Sequence, residues 1–148
     1  MQLQPKQIHT QPDPYAPFLL SQAIQLGNLV FVSGQAAIGD DGEIVGKGDF
    51  DRQAEQAFKN LDRVLRAAGT TLGNVVKVTI FLTSMSHFPK IVELRRQWFS
   101  APYPADTIDE VSGLYSPDAM IEIEAIAVAP GLATVSYTHL TLPTKLEV

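Results

Sequence analysis

The chain contains no cysteine, and it is poor in charged residues. The absence of cysteine excludes disulfides, thiolate catalysis and cysteine-ligated zinc, and it leaves the redox compartment open. Charged residues make up 18% and hydrophobic residues 45% of the 148 residues, which is enough apolar material for the core of one domain. The formal net charge of -5 argues against a surface that binds nucleic acid or an anionic membrane electrostatically.

Long apolar runs are also missing. No run approaches the length of a membrane span, which is about 20 residues, and the N-terminus has no apolar signal core. A soluble cytoplasmic protein, with no membrane partner, is therefore the default expectation.

Histidine is rare, and no catalytic fingerprint stands out. The three histidines (His9, His87 and His139) fall on a predicted N-terminal arm, at a predicted helix start and in the C-terminal tail. None is spaced with another ligand as a metal pair, so no metal site is predicted. The sequence has no GxSxG motif, P-loop or dinucleotide-binding motif.

The chain does carry the pattern of an α/β (α+β) domain. The first twenty residues, rich in proline, are predicted to be an irregular arm. Apolar runs and turn signals then predict strands over 21–26, 29–32, 75–83, 107–114 and 119–128, with a possible short strand over 43–45. Helical spacing predicts one helix from Asp51 to a cap at Gly69, with Asp49 or Asp51 as N-cap, and a second helix over 87–99. Two helices can cover one face of a sheet of five or six strands.

The other face of this sheet needs a partner of its own. Five large apolar residues cannot all be hidden by two helices: Phe31, Ile80, Leu82, Ile108 and Met120. An open sheet with an apolar uncovered face predicts association between chains.

The C-terminal segment differs from the rest. The domain is predicted to cover residues 1–131. Residues 132–148 follow Pro130-Gly131, and although 137–142 could form a short strand, the fold pattern does not require one. We interpret 132–148 as an extension foreign to the domain, such as a cloning or sequencing read-through product.

Two carboxylates in the last predicted strand raise the question of function. Because strand side chains alternate, Glu122 and Glu124 share one face, and Ile121 and Ile123 share the core face. Three interpretations are open. Their face is exposed to solvent, one glutamate forms an intersubunit ion pair, or one glutamate lies partly desolvated in a cleft, where its pKa is raised and it handles protons at a bound water.

Three segments carry a family resemblance. The chain closely resembles the RidA/YjgF family in Ser21 to Gln35 (SQAIQLGNLVFVSGQ), Leu61 to Met85 (LDRVLRAAGTTLGNVVKVTIFLTSM) and Ile121 to Val128 (IEIEAIAV). The match runs from about residue 17 to 128. The resemblance implies a chorismate-mutase-like fold, with a mixed sheet and two helices on one face. It also implies a homotrimer whose sheets form an inner barrel and whose ligand clefts lie between subunits.

The resemblance also implies an activity. Characterised members hydrolyse reactive 2-imino and enamine acids to 2-oxo acids and ammonia, with no cofactor. The first glutamate of IEIE activates water, which makes Glu122 the candidate catalytic residue. The backbone of Ser33, Gly34 and Gln35 is implied to help hold a small-molecule ligand, and Glu124 has no comparable role, so we favour a structural ion pair for it.

Two positions depart from the family pattern. The carboxylate-binding arginine is replaced by Asp106, and the cleft tyrosine by Leu20. Tyr15 lies too far upstream to be a simple substitute unless the arm bends. The inverted charge predicts poor binding of 2-imino acids and an altered substrate, such as a neutral or cationic nitrogen compound. The alternative is a non-catalytic small-molecule-binding or protein-interaction trimer on the same scaffold.

Overall fold

The computed structural model describes residues 3–129, which form a six-stranded sheet with two helices on one face. The tail at 132–148 and its possible strand at 137–142 lie outside the described residues. The strands are β1 Lys6–Ile8, β2 Ala23–Leu26, β3 Leu29–Gln35, β4 Val75–Leu82, β5 Ala105–Glu110 and β6 Ile121–Val128. The helices are α1 Phe50–Ala67 and α2 Phe88–Trp98, and short 3-10 helices occur at Ala16–Phe18, Leu72–Asn74 and Met85–His87.

The sheet is mixed, as predicted. Its strand order is β1-β2-β3-β6-β4-β5, and every neighbouring pair is antiparallel except β4 and β5, which are parallel and joined through α2. The predicted α+β class and the two-helix layer are confirmed. Within the described residues, no helix is both long enough and apolar enough to span a membrane.

The prediction of a wholly irregular arm was wrong. Lys6–Ile8 pairs with β2 at the sheet edge, and Ile8 is buried opposite Ala23. A three-residue strand with one buried side chain is too short to show the alternation that reveals a strand. The strand predicted over 107–114 begins earlier, at Ala105, and ends at Glu110, ahead of a loop that contains Gly113.

Helix α1 begins and ends where its capping residues require. The Asp49 side chain accepts a hydrogen bond from the backbone N–H of Arg52 at 3.1 Å, so Asp49 is the N-cap. Gly69 has φ of 80°, and Thr70 N–H donates to Leu65 O just beyond it, which closes the last turn. The apolar face of α1 packs on β3 and β6 and forms the core.

The apolar open face is smaller than predicted. Ile80 and Leu82 are fully buried on the helix side, because Ile80 is in register with Ile123 on the core face of β6. Ile108 and Met120 are partly buried against the same core. Phe31 does lie on the open face, and 41% of it is exposed. The open face therefore keeps an apolar residue from the predicted set, and the helices cover most of the others.

Candidate functional site

The two glutamates of β6 lie on the open face, as their alternation predicts. Glu122 is in register with Phe81, and Glu124 is in register with Thr79. Glu122 is partly buried and Glu124 is exposed. The Glu122 side chain lies against Gly34 of the neighbouring strand β3, whose pairing with β6 is irregular at that point.

A β-bulge in β3 lies next to the Glu122 side chain. Val32 pairs with Ala125, but the next pair is Gln35 with Ile123, so Ser33 and Gly34 together lie opposite a single residue of β6. A bulge of this kind bends the strand and redirects its backbone. An ideal Cβ built on Gly34 would lie 2.7 Å from Cδ and 2.9 Å from Cγ of Glu122. The Glu122 side chain therefore rests directly on the Gly34 backbone, in space that any other residue would fill.

Tyr15 closes the site from the N-terminal arm. Its hydroxyl donates a hydrogen bond to Gly34 O, and the residue is only 7% exposed. The arm bends through the 3-10 helix Ala16–Phe18, and Leu19 then adopts a left-handed conformation with φ of 60°. The bend that the sequence alone could not establish therefore takes place, and it brings Tyr15 to the bulge.

A cavity of about 450 Å³ lies over Glu122. Its volume is in the range typical of small-molecule sites, about 300–1,000 Å³. Among the residues of this chain that line it, Glu122 is the one with a carboxyl side chain. The lining residues are Tyr15, Phe18, Leu20, Gly34, Ala36, Ile38, Tyr115 and Glu122.

The surroundings shift three pKa values in the same direction. Burial, and then the charge of Glu124, raises the pKa of Glu122. Burial, and then the charge of Glu122, raises the pKa of Tyr15 and of Tyr115. Both phenols are therefore protonated at neutral pH. No hydrogen bond from residues 3–129 reaches the Glu122 carboxylate, which is left with its accepting capacity for a water or a ligand.

The structure brings three of the predicted site residues together: Glu122, Gly34 and Leu20 all line the cavity. Ser33 and Gln35 are not among its lining residues. The Ser33 hydroxyl donates to Ser21 O at 2.7 Å, and Gln35 Nε2 donates to Ser33 O at 3.0 Å. Their side chains fix the bulge that presents Gly34.

Asp106 is not brought to Glu122 within one chain. Its register partner is the buried Val78, which places Asp106 on the helix-covered face. Its Oδ2 accepts a hydrogen bond from Arg95 Nε of α2 at 2.8 Å, so its charge is already paired. Its assignment as the anchor position of an intersubunit cleft stays a prediction.

The favoured ion pair of Glu124 also stays a prediction. No salt bridge within residues 3–129 involves Glu124, so such a pair needs a partner from elsewhere. The described residues likewise contain no group of three His, Asp or Glu side chains placed to hold a metal ion.

Sequence reasoning missed Phe18, Ala36, Ile38 and Tyr115. Phe18 ends a single turn of 3-10 helix and Tyr115 lies in a loop, and in neither place does a period predict the direction of a side chain. The available signal was the location of Tyr115, an aromatic residue in the loop that leads into the strand of Glu122. Loops that border a strand end commonly carry binding residues.

Comparisons with known proteins agree with this geometry. A family model described as Endoribonuclease L-PSP matches residues 8–129. The chain is 44% identical over 117 residues to a RutC family protein of Pyrococcus horikoshii, which covers 78% of this chain and 90% of the relative. It is 37% identical over 117 residues to a Dermatophagoides farinae protein named 2-iminobutanoate/2-iminopropanoate deaminase, and the match covers 79% of this chain and 89% of the relative. Among solved structures it is similar to E. coli TdcF with bound serine, with a TM-score of 0.74 and 35% identity. This match covers 83% of the present chain and 98% of the TdcF chain.

Proposed function

The chain belongs to the RidA/YjgF family, and we propose that it hydrolyses a reactive imine or enamine to a carbonyl compound and ammonia. The observation that carries this proposal is the partly desolvated Glu122 carboxylate, which has no hydrogen-bond partner in the described chain and faces a cavity of about 450 Å³. Related proteins named as imine deaminases support the same class of reaction.

Glu122 is suited to the proton transfers of this reaction. It takes a proton from a water whose oxygen attacks the imine carbon, and the π electrons of the C=N bond move to nitrogen, which is protonated. The resulting carbinolamine loses ammonia when its C–N bond breaks and its hydroxyl proton leaves, so that imine plus water gives carbonyl compound plus ammonia. A carboxylate whose pKa is raised by burial is a stronger base than an ordinary glutamate and can return the proton to nitrogen.

Tyr15 positions the catalytic carboxylate indirectly. Its hydroxyl is committed to Gly34 O, and Gly34 is the surface on which Glu122 rests. We assign Tyr15 to holding the bulge rather than to proton transfer, because its raised pKa keeps its proton in place at neutral pH.

We further propose that the substrate differs from small 2-imino acids. The cavity lining contributed by this chain has no guanidinium or ammonium group. The family's arginine position is Asp106, which binds Arg95. A substrate carboxylate would therefore meet Glu122 without a compensating cation from these residues, which favours a neutral or cationic nitrogen compound.

The family description also mentions an endoribonuclease. We do not extend that activity to this chain, because a net charge of -5 and a carboxylate in the cleft both disfavour a polyanionic substrate.

We propose that the chain forms homotrimers with clefts between subunits, as the family resemblance implies. The open sheet face presents Leu29 and Phe31 with 38% and 41% exposure, which supports burial against other chains. Light scattering of the purified protein at micromolar concentration should give three times the chain mass. A monodisperse monomer would contradict both the trimer and the intersubunit cleft.

A non-catalytic small-molecule-binding or protein-interaction trimer is the second candidate, and the charge inversion at Asp106 favours it. An ammonia-release assay separates the two candidates. Imines are generated in situ by amine and amino-acid oxidases, and neutral, cationic and carboxylate-bearing imines are tested in parallel. Acceleration above the spontaneous rate for any of them supports the hydrolase, and none for any class supports the binding trimer.

The pH dependence of hydrolysis should report Glu122. The general base must be ionised, so kcat/KM should fall as the pH drops through its raised pKa, with a midpoint above the ordinary glutamate value of 4.5. Glu124→Gln removes the like charge on the same face, which lowers the Glu122 pKa, so the midpoint should move to lower pH. Glu93→Gln, an exposed change on α2, is the control and should leave the midpoint in place. Identical profiles for all three proteins would argue against Glu122 as the titrating base.

Gly34→Ala should reduce the activity by about a hundredfold, because a displacement near 1 Å of a catalytic group costs about that much. The added methyl group would fall within 3 Å of Cγ and Cδ of Glu122 and push the carboxylate aside. Gly73→Ala is the matched control, since its new Cβ would meet nothing closer than Thr71 Oγ1 at 3.6 Å. Equal kcat/KM values for the two variants would mean that the contact between Gly34 and Glu122 does not position the base.

A further inference from the structure

The cavity over Glu122 has an apolar side wall built from two separate parts of the chain. Phe18 and Leu20 come from the arm, and Tyr115 comes from the loop that precedes β6. All three are well exposed, at 69%, 43% and 55%. Large apolar side chains grouped around one concave site indicate a surface that binds an apolar group.

The backbone of the arm is shaped to build this wall. Phe18 N–H donates to Tyr15 O, and Leu19 N–H donates to Ala16 O, so the turn is hydrogen-bonded. Leu19 then takes the left-handed conformation, which is unfavourable for a residue with a Cβ. As a consequence Leu19 points to solvent with 94% exposure, while Phe18 and Leu20 on either side both line the cavity. Backbone strain held at a binding site is commonly part of the function of that site.

The chemical character of the cavity lining narrows the choice of ligand. Apart from Glu122 and the two phenol hydroxyls, the side chains that line the cavity are apolar. Substrate selection by this wall therefore operates through apolar burial and not through ion pairing.

On the basis of the proposed hydrolase function, we propose that Phe18, Leu20 and Tyr115 form a specificity subsite for an imine that carries a large apolar group, either aromatic or branched aliphatic. The imine carbon lies at Glu122, and the apolar group lies against the wall. The three residues select the substrate and take no part in its protonation.

The test compares two imines that differ only in side chain. L-Amino-acid oxidase acting on alanine or on phenylalanine generates 2-iminopropanoate or 2-imino-3-phenylpropanoate, and both carry the same carboxylate. The ratio of their kcat/KM values therefore isolates the contribution of the apolar group. We expect the ratio to favour the phenyl compound at least tenfold in the parent protein, since a single methylene in a fitted pocket already discriminates about tenfold or more.

Three variants and one control test whether the preference for the phenyl substrate arises at these three residues. Phe18→Ala, Leu20→Ala and Tyr115→Ala should each lower the ratio about threefold to tenfold, mainly through the phenyl substrate. Val92→Ala removes an exposed side chain of similar exposure, 44% against 43% for Leu20, from α2 on the other side of the sheet, and should leave the ratio unchanged. A parent ratio near one, or the same ratio in all four variants, would overturn the subsite while the hydrolase function stands.

A binding measurement separates failure of the apolar subsite from failure of the proposed hydrolase function. If neither imine is hydrolysed, calorimetric titration with acetone and phenylacetone, ketone analogues of the products that lack the carboxylate, still tests the wall. Tighter binding of phenylacetone that is lost in Phe18→Ala would support the subsite on a non-catalytic protein. Equal or undetectable binding of both compounds would overturn it.

Discussion

Glu122→Gln is expected to lower imine hydrolysis by about a hundredfold to ten-thousandfold, the range that a positioned general base contributes. The amide keeps the size of the glutamate and its contact with Gly34, but it cannot accept the water's proton at neutral pH. The measurement is ammonia release under single-turnover conditions, with the spontaneous rate subtracted. It uses whichever imine the parent protein hydrolyses best.

The same substitution gives an independent readout in stability. Burial raises the pKa of Glu122, so the folded state binds its proton more tightly than the unfolded chain does. The ionised carboxylate therefore destabilises the fold, and this penalty sets in as the pH rises through the unfolded pKa. Removing the charge should leave the thermal midpoint at pH 7 unchanged or raised, so a loss of activity without a loss of stability would identify a functional residue.

Glu124→Gln is the control for this experiment. Glu124 shares the face of Glu122 but is exposed and does not line the cavity. At a pH well above the Glu122 pKa, the Glu124→Gln variant should hydrolyse the imine at the rate of the parent protein. If the parent and Glu122→Gln both hydrolyse imines only at background rates, the cleft is not catalytic, and the binding-trimer hypothesis replaces the hydrolase.

The fold was largely predictable from the sequence because its main elements carry strong periodic signals. The spacing of Ala54, Phe58 and Leu61 identifies α1, and the alternation in β6 places Glu122 opposite the core-facing Ile121. These signals are local, since burial of one face imposes a period on the sequence. The same alternation placed Glu122 and Glu124 on one face, and the family resemblance then selected Glu122 as the candidate catalytic residue.

The surroundings of Glu122 were less predictable because they depend on departures from regular structure. The bulge at Ser33 and Gly34 is visible only in the pairing between strands. The turn of the arm depends on the left-handed conformation of Leu19, and a leucine in the sequence does not predict that conformation. Tyr15 reaches the site through that turn. The pairing of Asp106 with α2 follows from the register of β5 against β4, which the sequence of β5 alone does not define.

Asp106→Arg is expected to destabilise the protein by about 3 kcal/mol, which is the scale for breaking a largely buried ion pair. The Asp106 side chain is 13% exposed and that of Arg95 is 29% exposed, so neither is well screened by water. The substitution removes the 2.8 Å bond to Arg95 Nε and places a second guanidinium beside the first. An arginine at position 106 therefore does not by itself create a carboxylate-binding site, because Arg95 already pairs with the acid at this position. Urea unfolding of the parent and the variant measures the difference.

Two further variants test whether the pair is the cause. Exchanging the charges with Asp106→Arg and Arg95→Asp together should recover part of the lost stability, since the opposite charges are restored even though the geometry differs. Asp40→Arg is the surface control. Its partner Arg63 lies 2.9 Å away, but the Asp40 side chain is 74% exposed, so the loss should stay within about 1 kcal/mol. Equal losses for Asp106→Arg and Asp40→Arg would show that the Arg95 pair contributes no more than a surface ion pair. Asp106→Arg could then be tested for 2-iminopropanoate hydrolysis without a second change.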